Sequence, residues 1–397
     1  MTYPKAWCLP DYDGDCISNV GGSILQSYAI SQLRTLRKPL PKKRHTVLFF
    51  VDSLGEAMWQ SEIKKHPDLL RHLKPFLKEH RVIRSTVPST TNTVITSLVS
   101  GMTPAEHRWI GYHTYVKEVG AIINGLRLHT VTGSDPITST GIDAHHLIPI
   151  VPWFLFLQAK GVPCVLLSKS DLIDTPFGHV MYRGTHPIGY DDATEMMTLL
   201  SHLIQSATKK PLFIFVYWDN FDRHSHEYGP DSQMLHNSFA DFFTLFAKYA
   251  LTSLTQNDQI IMTGDHGHLS IPKEHTVWIN DHPKLFSHLL LPPFCEPRLP
   301  CLAVKEGQKE AVKNYFAKHF PKEFTLLETT PSLLEAFFGK SEHVEDVRDR
   351  VGDFIAVPSS THALKYSYTQ ARTAMAGRHG GLSREEMEVP LLLWGKK

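Results

Sequence analysis

The chain has 397 residues, 42% hydrophobic and 20% charged, with 41 Lys and Arg against 40 Asp and Glu and a formal net charge of +1. That is enough apolar material for one large α/β domain or two smaller ones, and the even charge balance gives no reason to expect duplex nucleic acid or an anionic membrane surface as partner. Cys8, Cys16, Cys164, Cys295 and Cys301 are scattered and contain no CxxC, so they make a poor disulfide framework and a poor zinc–thiolate site. Cys295 and Cys301 would pair only in an exported protein, and unpaired thiols are expected. The stretch from Met1 to Gly22 has no apolar h-region, and no run reaches the ~18 apolar residues of a membrane span. A soluble cytoplasmic protein is the expectation. The 24 histidines are many for this length, and imidazole is both the commonest metal ligand and a neutral-pH acid–base.

Residues 1–44 read as a lead-in that packs on the core. It has a turn at Leu9-Pro10-Asp11-Tyr12, one amphipathic helix from Ser18 to Leu36, and a basic, proline-containing linker from Arg37 to Arg44. The apolar run His45 to Val51 predicts a strand buried on both faces and ending at Asp52, before a helix that starts at Glu56. Asp52 is then either the N-cap of that helix or a side chain presented at a strand end. Arg81 to Thr86 is a second strand. Pro88-Ser89-Thr90-Thr91-Asn92-Thr93 leads into a helix over Val94 to Ser100, closed by Gly101. Hydroxyls at that helix start are capping residues, or they lie where a phosphate or a hydroxyl nucleophile would sit.

Residues 108–150, with Tyr112, read as an excursion over the site. Val151 to Lys160 is a helix, Cys164 to Ser168 a strand, and Asp191 to Ala207 a helix. Residues 211–218 form the most apolar strand of all. It gives way to Asp222-x-x-x-His226, with His224 between, and stops at Gly229-Pro230. Its end is either a polar loop after a core strand or half of a metal site. Pro230 to Thr252 is mainly helical, and Gln259 to Thr263 is a strand opening onto Gly264-Asp265-His266-Gly267-His268. Glycines beside Asp265 and His266 allow a close backbone approach. Residues 276–353 read as a small β-α-β-α module inserted into the larger sheet. Phe354 to Val357 is expected to resume the main core, so that 45–275 and 354–397 make one catalytic α/β domain. His379 sits between Arg378 and Gly380-Gly381, and Pro390 to Trp394 is a last strand. No GxGxxG or GxxxxGK[ST] occurs, so neither a dinucleotide fold nor a P-loop is supported.

Strand ends and glycine-flanked loops thus present Asp52, Thr91, Asp222, His226, Asp265, His266 and His379. Mixed Asp/His sets suit Zn2+, and also Mn2+ or Fe2+. Six such ligands are too many for one tetrahedral ion and about right for two, which would clamp a phosphoryl group between them.

The order Asp52, Pro88-Ser89-Thr90-Thr91, Asp222-x-x-x-His226-x-x-Gly229-Pro230, Asp265-His266-Gly267, His379-Gly380 resembles the alkaline phosphatase superfamily. Within it the order is most similar to the type I phosphodiesterase/nucleotide pyrophosphatase family, in its bacterial single-domain form. The resemblance spans roughly residues 45–395. It implies a mostly parallel central sheet with helices on both faces. It also implies two divalent ions, one held by Asp222, His226 and His379 and the other by Asp52, Asp265, His266 and the Thr91 hydroxyl. Thr91, three residues after Pro88, is the implied nucleophile, forming a phosphothreonine. The family's amide is expected three residues beyond the nucleophile, where this chain has Val94, so Asn92 or backbone N–H groups are expected to take its place. Tyr112 and Trp218 are candidates to stack on a base or leaving group. A small phosphate ester or nucleotide is the implied substrate. A monoesterase, phosphonate hydrolase or phosphomutase of the same superfamily is the alternative, and a catalytically dead binding protein the remaining one.

Overall fold

The computed structural model describes residues 3–207, 210–342, 344–369 and 371–396. In chain order its first eight strands are β1 (His45–Val51), β2 (Leu77–Arg84), β3 (His113–Val116), β4 (Ala121–Asn124), β5 (Cys164–Lys169), β6 (His186–Tyr190), β7 (Leu212–Trp218) and β8 (Asp258–Thr263). A seven-stranded sheet runs β2, the C-terminal strand Glu388–Trp394, β8, β1, β7, β5, β6. The C-terminal strand is antiparallel to both its neighbours, and the contacts among β8, β1, β7, β5 and β6 are all parallel.

Side-chain alternation explains why β1 and β7 lie at the centre. Leu48 and Phe50 of β1, with Phe213, Phe215 and Tyr217 of β7, face one hydrophobic core. Val47, Phe49 and Val51, with Ile214, Val216 and Trp218, face the other. A strand apolar on both faces is stable only under helices on both sides. Helices Val20–Ser27, Thr91–Ser100 and Phe154–Ala159 cover the first face, and Glu56–Lys65, Ala193–Ser206 and Gln233–Leu245 the second. Each phenylalanine so enclosed contributes about 1.5–3 kcal/mol. The expected α/β architecture is observed.

Three local expectations are corrected. The helix foreseen from Ser18 to Leu36 ends at Ser27. The chain folds back against it so closely that a Cβ on Gly22 would lie 1.9 Å from the Arg34 carbonyl oxygen, and the Ser23 Oγ accepts the Leu36 N–H at 2.8 Å. Phe354–Pro358 does not rejoin the main sheet. It pairs with Phe324–Glu328 and Leu299–Leu302 in a second, six-stranded sheet that continues through Phe294–Glu296 to β3 and β4. The 108–150 excursion and the 276–353 segment therefore share one sheet. Third, the polar loop that was one of the two readings for the stretch after β7 is a helix, Asn220–Tyr228.

Candidate metal centre and active site

Asp52 follows β1 on the face shared with Tyr217, and the Tyr217 hydroxyl donates to Asp52 Oδ2 at 2.6 Å. The helix Thr91–Ser100 packs on the same face through Val94, Ile95, Leu98 and Val99. Its first residue therefore meets the end of β1. Thr91 Oγ1 donates towards both Asp52 oxygens at 3.5 and 3.4 Å. Thr90, at the N-cap, makes no side-chain cap bond. The first N–H groups of the helix are thus left for an anion, at the positive end of its dipole.

Asp265 and His266 come from the end of β8, the other neighbour of β1. His266 Nε2 lies 3.6 Å from Asp52 Oδ1 and 3.3 Å from Asp265 Oδ2. Close approach explains the flanking glycines: a Cβ on Gly264 would stand 2.3 Å from the Leu54 carbonyl oxygen, and one on Gly267 2.1 Å from that of Glu385. Asp52, Asp265 and His266 form one compact, buried group.

The second group is Asp222, His226, His268 and His379. Spacing of four on a helix puts Asp222 and His226 on one face. Gly377–Arg378 pairs antiparallel with Leu269–Ser270, which brings His379 beside His268. The Nε2 atoms of His226, His268 and His379 lie 3.5, 3.5 and 3.7 Å from the single oxygen Asp222 Oδ1. Each ring is fixed by its other nitrogen: His226 Nδ1 at 2.8 Å from the Gly377 carbonyl, His379 Nδ1 at 2.9 Å from that of Ser89, and His268 Nδ1 at 2.7 Å from Ser53 Oγ. Nδ1 anchored to an acceptor and Nε2 turned inward is the arrangement of a ligating imidazole. The two groups adjoin, since the His266 and His379 rings stack at 3.6 Å.

Asp222 Oδ1, Asp265 Oδ2, His266 Nε2 and His268 Nε2 are buried with no hydrogen-bond partner. Orphaned buried polar atoms are costly, and here two lie in each group. Burial, and then the neighbouring Asp265 charge, push the carboxyls of Asp52 and Asp222 well above their usual range. Burial holds His268 and His379 well below the usual imidazole range and takes His226 down to about 4. Crowded carboxyls and neutral imidazoles are the donor set that divalent cations satisfy. The residues fit two such ions.

The structure brings Asp52, Thr91, Asp222, His226, Asp265, His266 and His379 together. Sequence reasoning missed His268, although it lies two residues after His266 in the same glycine-rich turn. It also missed Ser53, whose N–H donates to Asp265 Oδ1 at 2.8 Å while its hydroxyl holds His268. Ser53 has φ 67°, and no sequence pattern shows that.

A cavity of about 350 Å³ opens over Thr91, Asp52, Asp222, His226 and His379. Tyr112 lines it, with Ile95, Leu126 and Phe177. Trp218 does not. It is a core side chain stacked between Tyr190 and Phe242. Nor does Asn92, whose amide donates to the Gly111 carbonyl at 2.6 Å and ties the helix to that loop. His224 borders a separate groove, away from both groups. Arg378 is buried and lines the cavity.

A mostly parallel sheet carrying this Asp/His pair of groups at its strand ends defines a member of the alkaline phosphatase superfamily. Residues 46–382 match the type I phosphodiesterase/nucleotide pyrophosphatase family model. The chain belongs to that family, and it is a hydrolase of phosphodiester or pyrophosphate bonds. Solved structures agree on the fold. Murine ectonucleotide pyrophosphatase/phosphodiesterase 5 superposes with a TM-score of 0.64 at 16% identity, covering 89% of this chain and 88% of that one. The human counterpart gives 0.63 at 15%, covering 88% and 87%. An inactive threonine-to-alanine variant of the murine protein, in complex with AMP, gives 0.61 at 15%, covering 89% and 88%. No curated protein sequence matches. Among the described residues, no helix is long and apolar enough to cross a membrane.

Proposed function

We propose that the protein is a two-metal phosphodiesterase/nucleotide pyrophosphatase that works through a covalent phosphothreonine at Thr91. The observation that carries this reading is the placement of Thr91. Its hydroxyl points at Asp52 from the uncapped start of a helix, on the floor of the cavity where the two Asp/His groups meet. Asp52, Asp265 and His266 would hold one divalent ion, with the Thr91 hydroxyl beside it. Asp222, His226, His379 and, in addition to the expected set, His268 would hold the other. The Asp/His donors suit Zn2+, with Mn2+ or Fe2+ as substitutes. Such ions, when bound, supply Lewis-acid charge that lowers the pKa of a hydroxyl or a water and offsets charge on phosphoryl oxygens.

The chain's own residues account for the rest. Asp52 accepts from the Thr91 hydroxyl, and the Tyr217 hydroxyl holds Asp52 in turn. The Thr91 Oγ–P bond forms as the bond to the leaving alcohol or phosphate breaks, the Oγ proton passing to Asp52 and on to the leaving oxygen; water later cleaves the phosphothreonine, and Thr91 regains a proton from it. Free N–H groups at the helix start, with Asn92 engaged elsewhere, are placed to receive the phosphoryl oxygens. Tyr112 offers a ring at the cavity rim for a base or leaving group. The relative of the same fold whose inactive variant binds AMP supports a nucleotide ester as substrate. Five free, buried thiols accord with a cytoplasmic setting.

Thr91→Ala tests the nucleophile. Turnover of bis(p-nitrophenyl) phosphate should fall at least ~1000-fold, as for other members of a covalent mechanism, while metal content by elemental analysis stays near that of the parent. Turnover within tenfold of the parent would place the nucleophile elsewhere, with Thr90 the first residue to examine.

A further inference from the structure

Beside the two Asp/His groups the cavity wall carries two cations that nothing in the proposed chemistry uses, Arg378 and Lys365. Arg378 is 5% exposed. Its Nε and Nη2 are buried and have no hydrogen-bond partner. Those two atoms form one edge of the guanidinium fork, the edge that binds two oxygens of one oxyanion in parallel. Lys365 is half-buried over the Trp278 ring at 5.6 Å. Among the described ion pairs, none joins either cation to a carboxylate.

The acid whose charge reaches both cations is Glu296, which is buried and also lines the cavity. One of its oxygens is taken by the Tyr112 N–H at 2.8 Å. Burial raises its carboxyl to about 7, even with Thr90 and both cations nearby. Burial, and then mutual repulsion with Arg378, takes Lys365 down to about 8. Two cations without an ion-pair partner thus share this wall with Glu296, one oxygen of which is already taken. A buried guanidinium edge that no group of the chain satisfies is a place for an oxyanion from outside the chain.

We propose that Arg378, seconded by Lys365, forms a second anion subsite that receives a phosphate of the substrate other than the one attacked. The proposal rests on the hydrolase reading above and narrows it. Substrates would carry adjacent phosphates, as in nucleoside diphosphates, in preference to simple diesters. The pair would also compete for free phosphate.

The test uses the metal-loaded protein with two substrates, ADP and bis(p-nitrophenyl) phosphate. In Arg378→Met, kcat/KM for ADP should fall at least ~10-fold further than kcat/KM for bis(p-nitrophenyl) phosphate, the loss expected for a charge-assisted bidentate contact. Lys365→Met, at a less buried position, should shift the same ratio in the same direction by a smaller factor. Inorganic phosphate should inhibit both variants less than the parent. Equal losses on the two substrates, or an unchanged phosphate inhibition constant, would overturn the subsite. So would succinate competing as well as phosphate, since the occupant would then be a carboxylate. Turnover of bis(p-nitrophenyl) phosphate by the parent reports on the hydrolase reading separately. A silent parent sinks that reading, whereas an active parent with an unmoved ratio sinks only this one.

Discussion

Ser53 occupies a left-handed backbone conformation and serves both Asp/His groups, through its N–H to Asp265 and its hydroxyl to His268. A residue that meets two groups at once shows why part of the site was hidden in the sequence. Asp52, Asp265, His266 and His379 were legible because each stands at a strand end or beside glycine, and Asp222 and His226 because they follow the end of β7 four residues apart, all in a recurrent order. His268 was not. Its role depends on the two-residue pairing of Arg378 with Leu269, which no local pattern announces. Asn92 was legible as a polar residue after Thr91, the proposed nucleophile, but its amide is used by the Gly111 carbonyl. His268→Ala removes one of the three imidazoles around Asp222 Oδ1. Metal affinity at that site should drop at least ~10-fold, measured by chelator competition, while His224→Ala leaves it unchanged. Equal affinities in parent and His268→Ala would take His268 out of the ligand set.

At the scale of elements, β1, β7 and β8 were legible because a strand buried on both faces is apolar throughout. The sheet to which Phe354–Pro358 belongs was not. A five-residue buried strand carries no mark of its partners, and those partners lie at 299–302 and 324–328. The lead-in helix is short, and its Gly22 admits the returning chain at Arg34. Close approach also governs the turn after β8, where the Leu54 carbonyl fills the space beside Gly264. Gly264→Ala cannot be relieved by a side-chain rotation, because the obstructing atom is backbone. It should cost about 1–3 kcal/mol and loosen both ligand groups. Gly120→Ala carries a left-handed φ penalty that Gly264→Ala does not, since Gly120 has φ 70°, but it meets nothing within 4 Å and should leave metal content intact. Thermal melts with elemental analysis separate the two, and retained metal in a folded Gly264→Ala variant would contradict this account of the turn.

In the whole molecule, the second sheet is fastened to the main one by a buried ion pair. Arg298, between two strands of the second sheet, meets Glu386, just ahead of the C-terminal strand, through two bonds of 2.9 Å. Arg298 also donates to the carbonyls of Ser360 and His362 at 2.7 and 2.6 Å. Burial raises the Glu386 carboxyl, but the Arg298 charge and hydrogen bonds outweigh it and hold the group below its ordinary value. A depressed carboxyl stabilises above its unfolded value of ~4.3 and loses that contribution as pH falls through the lower folded value. Glu386→Gln, which leaves Arg298 buried without a counter-charge, should cost about 3–5 kcal/mol at pH 7. Urea melts from pH 7 to 3 should show its deficit shrinking as the parent loses the pair, and a deficit that stays constant over that range would contradict the assignment. The pair was not legible in the sequence because its members lie 88 residues apart.

The central claim is that the two Asp/His groups under the cavity hold two catalytic ions. It is tested most directly by stripping the protein with chelator and titrating Zn2+ back while following both bound metal and hydrolysis of bis(p-nitrophenyl) phosphate. The account predicts binding that saturates at about two ions per chain, with turnover reaching its maximum only as the second is bound. Saturation at one ion, or full turnover by the stripped protein, would contradict it.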